Sequence, residues 1–470
     1  SLNLKSLNNV NAKALADAGT TKSDVGVGVA VAINAADVLN EAYIGKGVIV
    51  NANGLNIIVD MLELQPSDGE DPDAQHSFSA QSISGAGAGN VGIAGSVAIN
   101  VIINKALAHA DGLVVLTGRD VYISSISSAE NTANAGCSVE IGEDGSASVG
   151  VGASFATNVL VNDVLAYIDD NAQLTGAGLL NIKAELISDV QTIAIAGADP
   201  FTDILGKDPT SEAKYALDAA VALTVVVNTV KAYTGVDSTI DTNGSVEVLA
   251  DSISITLTRS EGNASGSQAA VGASLGLNIT VSDTEAAILG NGNIGGGLAV
   301  QATTFARDDI FVMATARGLQ IERYLNKFKS TADDILSGKF GNDSDQKKPE
   351  SAQALDEHGA KTAQTVDQDG GTSGEGSQSQ QSVGLAAAVA INVTTHNIKA
   401  YTGSGVITVG GDVLVQAKSD TNFETLAAGA SVTDGNGISV AVAISNIFNQ
   451  TTASLGSING NGNDITIIAI

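Results

Sequence analysis

Cysteine is almost absent from this 470-residue chain, tryptophan is missing, and there are only five prolines, seven tyrosines and nine phenylalanines. The single thiol, Cys137, excludes an internal disulfide framework and any thiolate zinc cluster. Basic residues are also scarce, 22 against 51 acidic, for a formal charge of −29. That balance argues against nucleic acid or an anionic membrane as partner, because phosphate binding needs clustered Lys and Arg. No uninterrupted apolar run approaches the roughly 20 residues of a transmembrane helix. No signal peptide is recognisable. The sequence starts at a serine and stops inside the apolar run Ile465 to Ile470, as a piece of something longer would.

What is present is glycine, at 53 residues, together with Val, Ile and Thr in strict alternation, a pattern of strand rather than disorder. One block recurs seven times: VGVGVAVAIN ending at Asn34, VGIAGSVAIN at Asn100, VGVGASFATN at Asn158, AAVALTVVVN at Asn228, VGASLGLN at Asn278, VGLAAAVAIN at Asn392 and ISVAVAIS at Ser445. In six copies an alanine follows eight residues later (Ala42, Ala108, Ala166, Ala286, Ala400, Ala453), whereas the Asn228 copy drops four residues and places Ala232. Tyr43, Tyr167, Tyr233 and Tyr401 directly follow that alanine. A second alternating run then follows, as in GSVEVLADSISITL at 244–257. The spacing fits a unit of about 50 residues interrupted by insertions, and all five prolines fall in those insertions, since proline cannot donate a ladder hydrogen bond.

The fold expected is all-β, an elongated parallel β-solenoid of about seven such repeats with loop and helix insertions. Its segments are a solenoid start and first repeat at 1–64, an acidic loop and linker at 65–90, repeats at 91–198, a short insertion at 199–218, repeats at 219–304, a long insertion at 305–382 and repeats at 383–470. With three or four strands per unit, each repeat would supply about two rungs. Within the first block Val25, Val27, Val29, Val31 and Ile33 share one strand face, while Gly26, Gly28, Ala30, Ala32 and Asn34 share the other. Either the small face lies under a closely approaching layer, or another copy covers it externally. Burial of both faces within stacked rungs is expected. The repeated asparagines (Asn34, Asn100, Asn158, Asn228, Asn278, Asn392) then form a structural amide ladder, and Tyr43, Tyr167, Tyr233 and Tyr401 an aromatic column.

Signals for chemistry are few. His76, His109, His358 and His396 have no zinc-ligand spacing. GASLG at 272–276 matches GxSxG around Ser274 but lies inside a repeat strand, and GAGAGN at 85–90 lacks a following helix and reads as a turn. No catalytic residue and no cofactor is expected. The acidic cluster Asp68, Asp71 and Asp73, with Glu70, offers oxygen ligands of the kind calcium takes, though without the EF-hand or β-roll spacing. In the long insertion Ile321, Leu325, Phe328 and Ile335 follow helical spacing, and eight of the 22 basic residues lie between Arg307 and Lys348. That segment reads as an amphipathic helix, either capping the solenoid flank or binding a partner.

The run VAVAIN, eight residues to AYIG, then GVIV and a second alternating strand, resembles the repeats of large bacterial surface proteins of the filamentous-adhesin and autotransporter type. The resemblance implies a non-enzymatic, extracellular or cell-surface β-solenoid for adhesion or matrix building, with other copies of itself or surface and matrix components as partners. The alternative is a self-assembling filament or sheath subunit, joined end to end or laterally through Gly/Ala faces. A carbohydrate-active solenoid enzyme is the third option.

Overall fold

The computed structural model describes residues 1–61, 75–116, 119–141, 149–197, 213–316, 382–431, 436–460 and 464–470. Every strand pairing in this body is parallel. In chain order the strands are β1 (Leu2–Asn8), β2 (Asn11–Ile44), β3 (Ile49–Ala52), β4 (Leu55–Met61), β5 (His76–Ala110), β6 (Leu113–Leu116), β7 (Val121–Ile141) and β8 (Val149–Ile168). They continue with β9 (Gln173–Ala177), β10 (Leu180–Ala196), β11 (Ala213–Thr234), β12 (Thr239–Thr242), β13 (Val246–Ala264), β14 (Gly266–Ile288) and β15 (Asn291–Ile294). The last are β16 (Leu298–Ala316), β17 (Val383–Thr402), β18 (Ile407–Val409), β19 (Val413–Ser431), β20 (Asn436–Ser454), β21 (Ile458–Gly460) and β22 (Ile465–Ala469).

Each turn of this parallel solenoid is a long strand carrying the repeated block, a short strand across one edge, and a long return strand. β8, β9 and β10 make one such turn with 20, 5 and 17 residues. The next copy, β11, then pairs with β8. One repeat therefore makes one turn, not the two expected, because strands of this length consume the whole unit in a single circuit. The forward strands form one long row and the return strands another, while the short strands form a separate seven-stranded sheet. β2 and β5 bend from the return row into the forward row without a break, so β5 pairs with β7 through one half and β8 through the other.

Corner residues follow from the backbone they must adopt. Leaving the forward strand, the chain places Gly47, Asn171 and Asp237 at the same corner with φ of 78°, 62° and 59°. Glycine, Asn and Asp are the residues that take this left-handed conformation at least cost.

The interior is a wedge. Beside the short strands it is wide and filled by Ile57, Ile123, Leu174, Leu180, Ile182 and their neighbours. Farther along it narrows to a layer of alanines such as Ala98, Ala156, Ala194 and Ala222. The small face of the repeat thus lies inside, under the opposing long sheet, as one of the two alternatives held. A Cβ on Gly26 would stand 2.7 Å from the Gly87 carbonyl oxygen, and one on Gly28 would press still closer on the Gly85 carbonyl.

The bulky face is not buried. In the first turn Val29 is 60 % exposed and Val31 52 %, against 4 % for Ala30 and 3 % for Ala32. Burial on both faces is therefore corrected: two sheets enclose only their inner surfaces, and no third layer covers the outer one among the described residues. The Gly/Ala strand faces named for lateral joining line the interior.

Three segment boundaries move as well. His76 to Asn90, read as the end of a loop and linker, is strand within β5, including the glycine-rich GAGAGN stretch read as a turn. Residues from Ala213 belong to β11 and those up to Ala316 to β16, both inside segments read as insertions. No described residue is a proline.

The wedge makes a contrast that urea denaturation can check. Gly28→Val places a side chain against the Gly85 backbone and should cost about 3 kcal/mol, the upper range for overpacking. Outward Val29→Ala should cost less than about 1 kcal/mol. Equal losses would contradict the inside-out assignment of the two faces.

Candidate functional site

The most organised chemistry is inside the solenoid. Asn34 Nδ2 donates to Asn100 Oδ1 at 3.0 Å, and Asn100 Nδ2 to Asn158 Oδ1 at 3.2 Å. The same amide groups cross to the opposite sheet, where Asn34 donates to the Ala12 carbonyl at 3.1 Å and Asn158 to that of Asn131 at 3.0 Å. Asn278 continues the column to Asn392 at 3.1 Å.

Asn228 does not belong to this column. Register pairs Thr224 with Asn158 and with Asn278, so Thr224 holds the ladder position in the fourth turn. Its hydroxyl lies 2.8 Å from that of Thr192 and 2.6 Å from that of Thr258. With Thr224 as reference, Ala232 falls eight residues later, level with Ala166 and Ala286, and the four-residue deletion vanishes. Asn228 stands instead in a second ladder: Asn104 donates to Asn162 at 3.4 Å, Asn162 to Asn228 at 2.9 Å, and Asn228 to Ser254 at 3.2 Å. His396 occupies this second column in the sixth turn, fully buried, with Nε2 3.9 Å from Asp308 Oδ2. Asp308 accepts hydrogen bonds from the hydroxyls of Thr280 and Thr394.

The tyrosines form a column on the outer surface, with His109 filling the second turn. Ring centroids are 5.0 Å apart for Tyr43–His109, 4.8 Å for His109–Tyr167 and 5.0 Å for Tyr167–Tyr233, all within 6° of parallel. Each inner ring has both faces covered by its neighbours, which removes the exposed face that sugar stacking would need. Tyr401 is separated from this stack because Ala287 takes the fifth turn. Its hydroxyl donates to Glu285 at 2.6 Å, and Lys231 Nζ reaches Glu285 at 2.9 Å and Asp283 at 2.7 Å. Burial works against the charge on Glu285, yet the hydrogen bonds from Tyr401 and Lys231 hold its pKa below the usual range.

Asp218 was not foreseen. It stands in an inward column with Gly28, Ala94, Gly152, Gly272 and Ala386. Burial pushes its carboxyl up to about 8, against a hydrogen bond from the Gly152 N–H. Nearby Cys137 is buried, which drives its thiol up to about 11 despite its hydrogen bond with Ser154. An acidic residue at small-residue parity was the available signal, and it is the same whether Thr224 or Asn228 is the reference.

Ser274 is 5 % exposed and donates to Ser260 Oγ at 2.7 Å within the sheet interior. Among the described residues no three His, Cys, Asp or Glu gather as metal ligands. Asp68, Asp71 and Asp73, and the helix residues Ile321, Leu325, Phe328 and Ile335, lie outside the described residues. No family model, curated protein or solved structure matches the chain.

Two measurements test this interior. Asn162→Ala removes a donor to Asn228 and an acceptor for Asn104 and should cost about 3 kcal/mol in urea unfolding, since buried partners are left unsatisfied. Asn181→Ala, whose amide meets Glu247 at the half-exposed outer surface, should cost under about 1 kcal/mol.

The second is a pH dependence. Folded Asp218 holds its proton up to about pH 8, while the unfolded chain releases it near an ordinary carboxylate value of about 4. Its contribution to stability is complete below the lower value and is lost as pH rises through the upper one. Asp309, raised to about 7 by burial against the pull of Arg307, acts in the same direction. Asp218→Asn should therefore lose less stability than wild type between pH 5 and pH 9; parallel curves would refute the assignment.

Proposed function

We propose a non-enzymatic extracellular repeat protein of the cell surface or matrix, in which the solenoid is a stiff scaffold for adhesive contacts. One observation carries this reading. Buried amides bond along the solenoid and across it, as the Asn34–Asn100–Asn158 column does. Such an arrangement adds rigidity turn by turn, the property a stalk or spacer requires. The repeat rhythm resembling filamentous adhesins and autotransporters supports the same reading. So does the strongly acidic composition, which keeps an extended surface soluble. Its partners would be surface or matrix components, or further copies.

Labelling of intact cells with an antibody raised against the folded protein should equal labelling of permeabilised cells, and beads coated with the protein should adhere to cells or matrix. Labelling only after permeabilisation would defeat the surface assignment. Turnover in a glycan-hydrolysis screen, abolished by one carboxylate substitution, would defeat the non-enzymatic one.

A further inference from the structure

The outer surface of the forward row is unlike any other part of the solenoid. From the column of Val25 to the column of Asp37, across all seven turns, Asp37 is the only charged outward residue. The return row, by contrast, points Lys183, Glu185, Asp251, Arg259 and Glu261 outward. At about 4.8 Å per strand and about 3.3 Å per residue, this field, apolar but for Asp37, Thr157, Thr395, Asn436 and Asn446, measures about 34 by about 43 Å, on the order of 1,500 Å². Surface patches of that size mark association sites, and a standard interface needs only about 800 Å² from each partner.

The field also has relief. Gly95, Ala153, Ala219, Ala273 and Ala387 lie in one column, closed at its ends by Val29 and Val440. On one side runs the ridge Ile93, Val151, Leu217, Val271 and Leu385, and on the other Val97, Phe155, Val221, Leu275 and Val389. Small residues thus form a trough one column wide between two ridges of large ones, each about 6.6 Å from the trough.

We infer that two copies of this chain pair face to face through this surface, the ridge of Phe155 and Leu275 of each copy seated in the alanine trough of the other. A two-fold axis parallel to the solenoid axis, midway between trough and ridge, generates this fit in the second to sixth turns at once. It sets Ala153 against the partner copy's large residue two positions on in the same turn. Such an isologous contact closes on itself, so the product is a dimer and not a fibre. Charge selects the same arrangement, because a chain of net charge −29 meets its copy with least repulsion when the uncharged faces touch and the charged return rows point apart. The pairing does not depend on where the protein works.

Analytical ultracentrifugation of the wild type at micromolar concentration should give a dimer. Ala219→Lys, which sets a charge mid-trough on a side chain pointing away from the core, should weaken it by at least about 100-fold with unchanged circular dichroism. Leu249→Lys on the return face should leave the dimer intact. Mixing Ala387→Cys protein with Val389→Cys protein should yield a dimer cross-linked by a short bismaleimide, Cys137 being buried and unreactive. A monomeric wild type, a dimer indifferent to Ala219→Lys, or absence of the 387–389 cross-link would overturn the pairing. Binding of monomers to zwitterionic phospholipid vesicles, lost in Ala219→Lys, would reassign the face to a lipid surface and overturn it too.

Discussion

The close approach of the two long sheets is the constraint on which the rest of the molecule depends. Where backbone nearly meets backbone, as between Gly28 and Gly85, the inner face is held mostly by glycine, alanine and serine, with Asp218 the buried exception in that column. Bulky β-branched residues at alternate positions are then forced outward. The fold inverts the usual economy of a sheet, in which large apolar side chains face the core and polar ones the water. Most of its large interior side chains lie on the wide side of the wedge, where the short strands hold the two sheets apart, while Phe78, Ile102 and Leu160 form a second cluster and Ile310 and Val312 pack on Ala386, Ala388 and Ala390.

Such a thin interior has little apolar volume with which to hold the sheets together, and the amide ladders offset part of that deficit. Asn100 and Asn158 each bond along the column, and the same groups reach carbonyl oxygens of the opposing return row. Each bond adds only about 1 kcal/mol, but the alternative is a buried amide without a partner, and the repeat multiplies the gain through successive turns. Parallel, in-register stacking also brings identical side chains to the strand spacing, which is why the Tyr43, His109, Tyr167 and Tyr233 rings stack at close to 5 Å.

The candidate site was legible where sequence identity repeats and illegible where it does not. Asn34, Asn100 and Asn158 could be aligned by eye. Thr224 could not, because a hydroxyl performs the amide's role and Asn228, four residues on, offers a false match. His109 escaped the aromatic column for the same reason: an imidazole stacks as a phenol does, but no residue-type rule groups them. Asp218 shares its parity with both Asn228 and Thr224, so its place on the small-residue face was readable in either alignment, and only the burial of that face was not.

Seven repeats, an all-β parallel solenoid, prolines confined to insertions and two strand faces of unequal size were all determined by the sequence alone, because each follows from local alternation and spacing. Which face lies inward was decided only by the tertiary structure. Alternation separates two sets of side chains but carries no information on the distance to the opposing sheet, and that distance admits Ala30 and excludes Val29. The number of strands per turn was equally a tertiary outcome, since a strand's length is fixed by where the chain can turn and pair, not by its own residues.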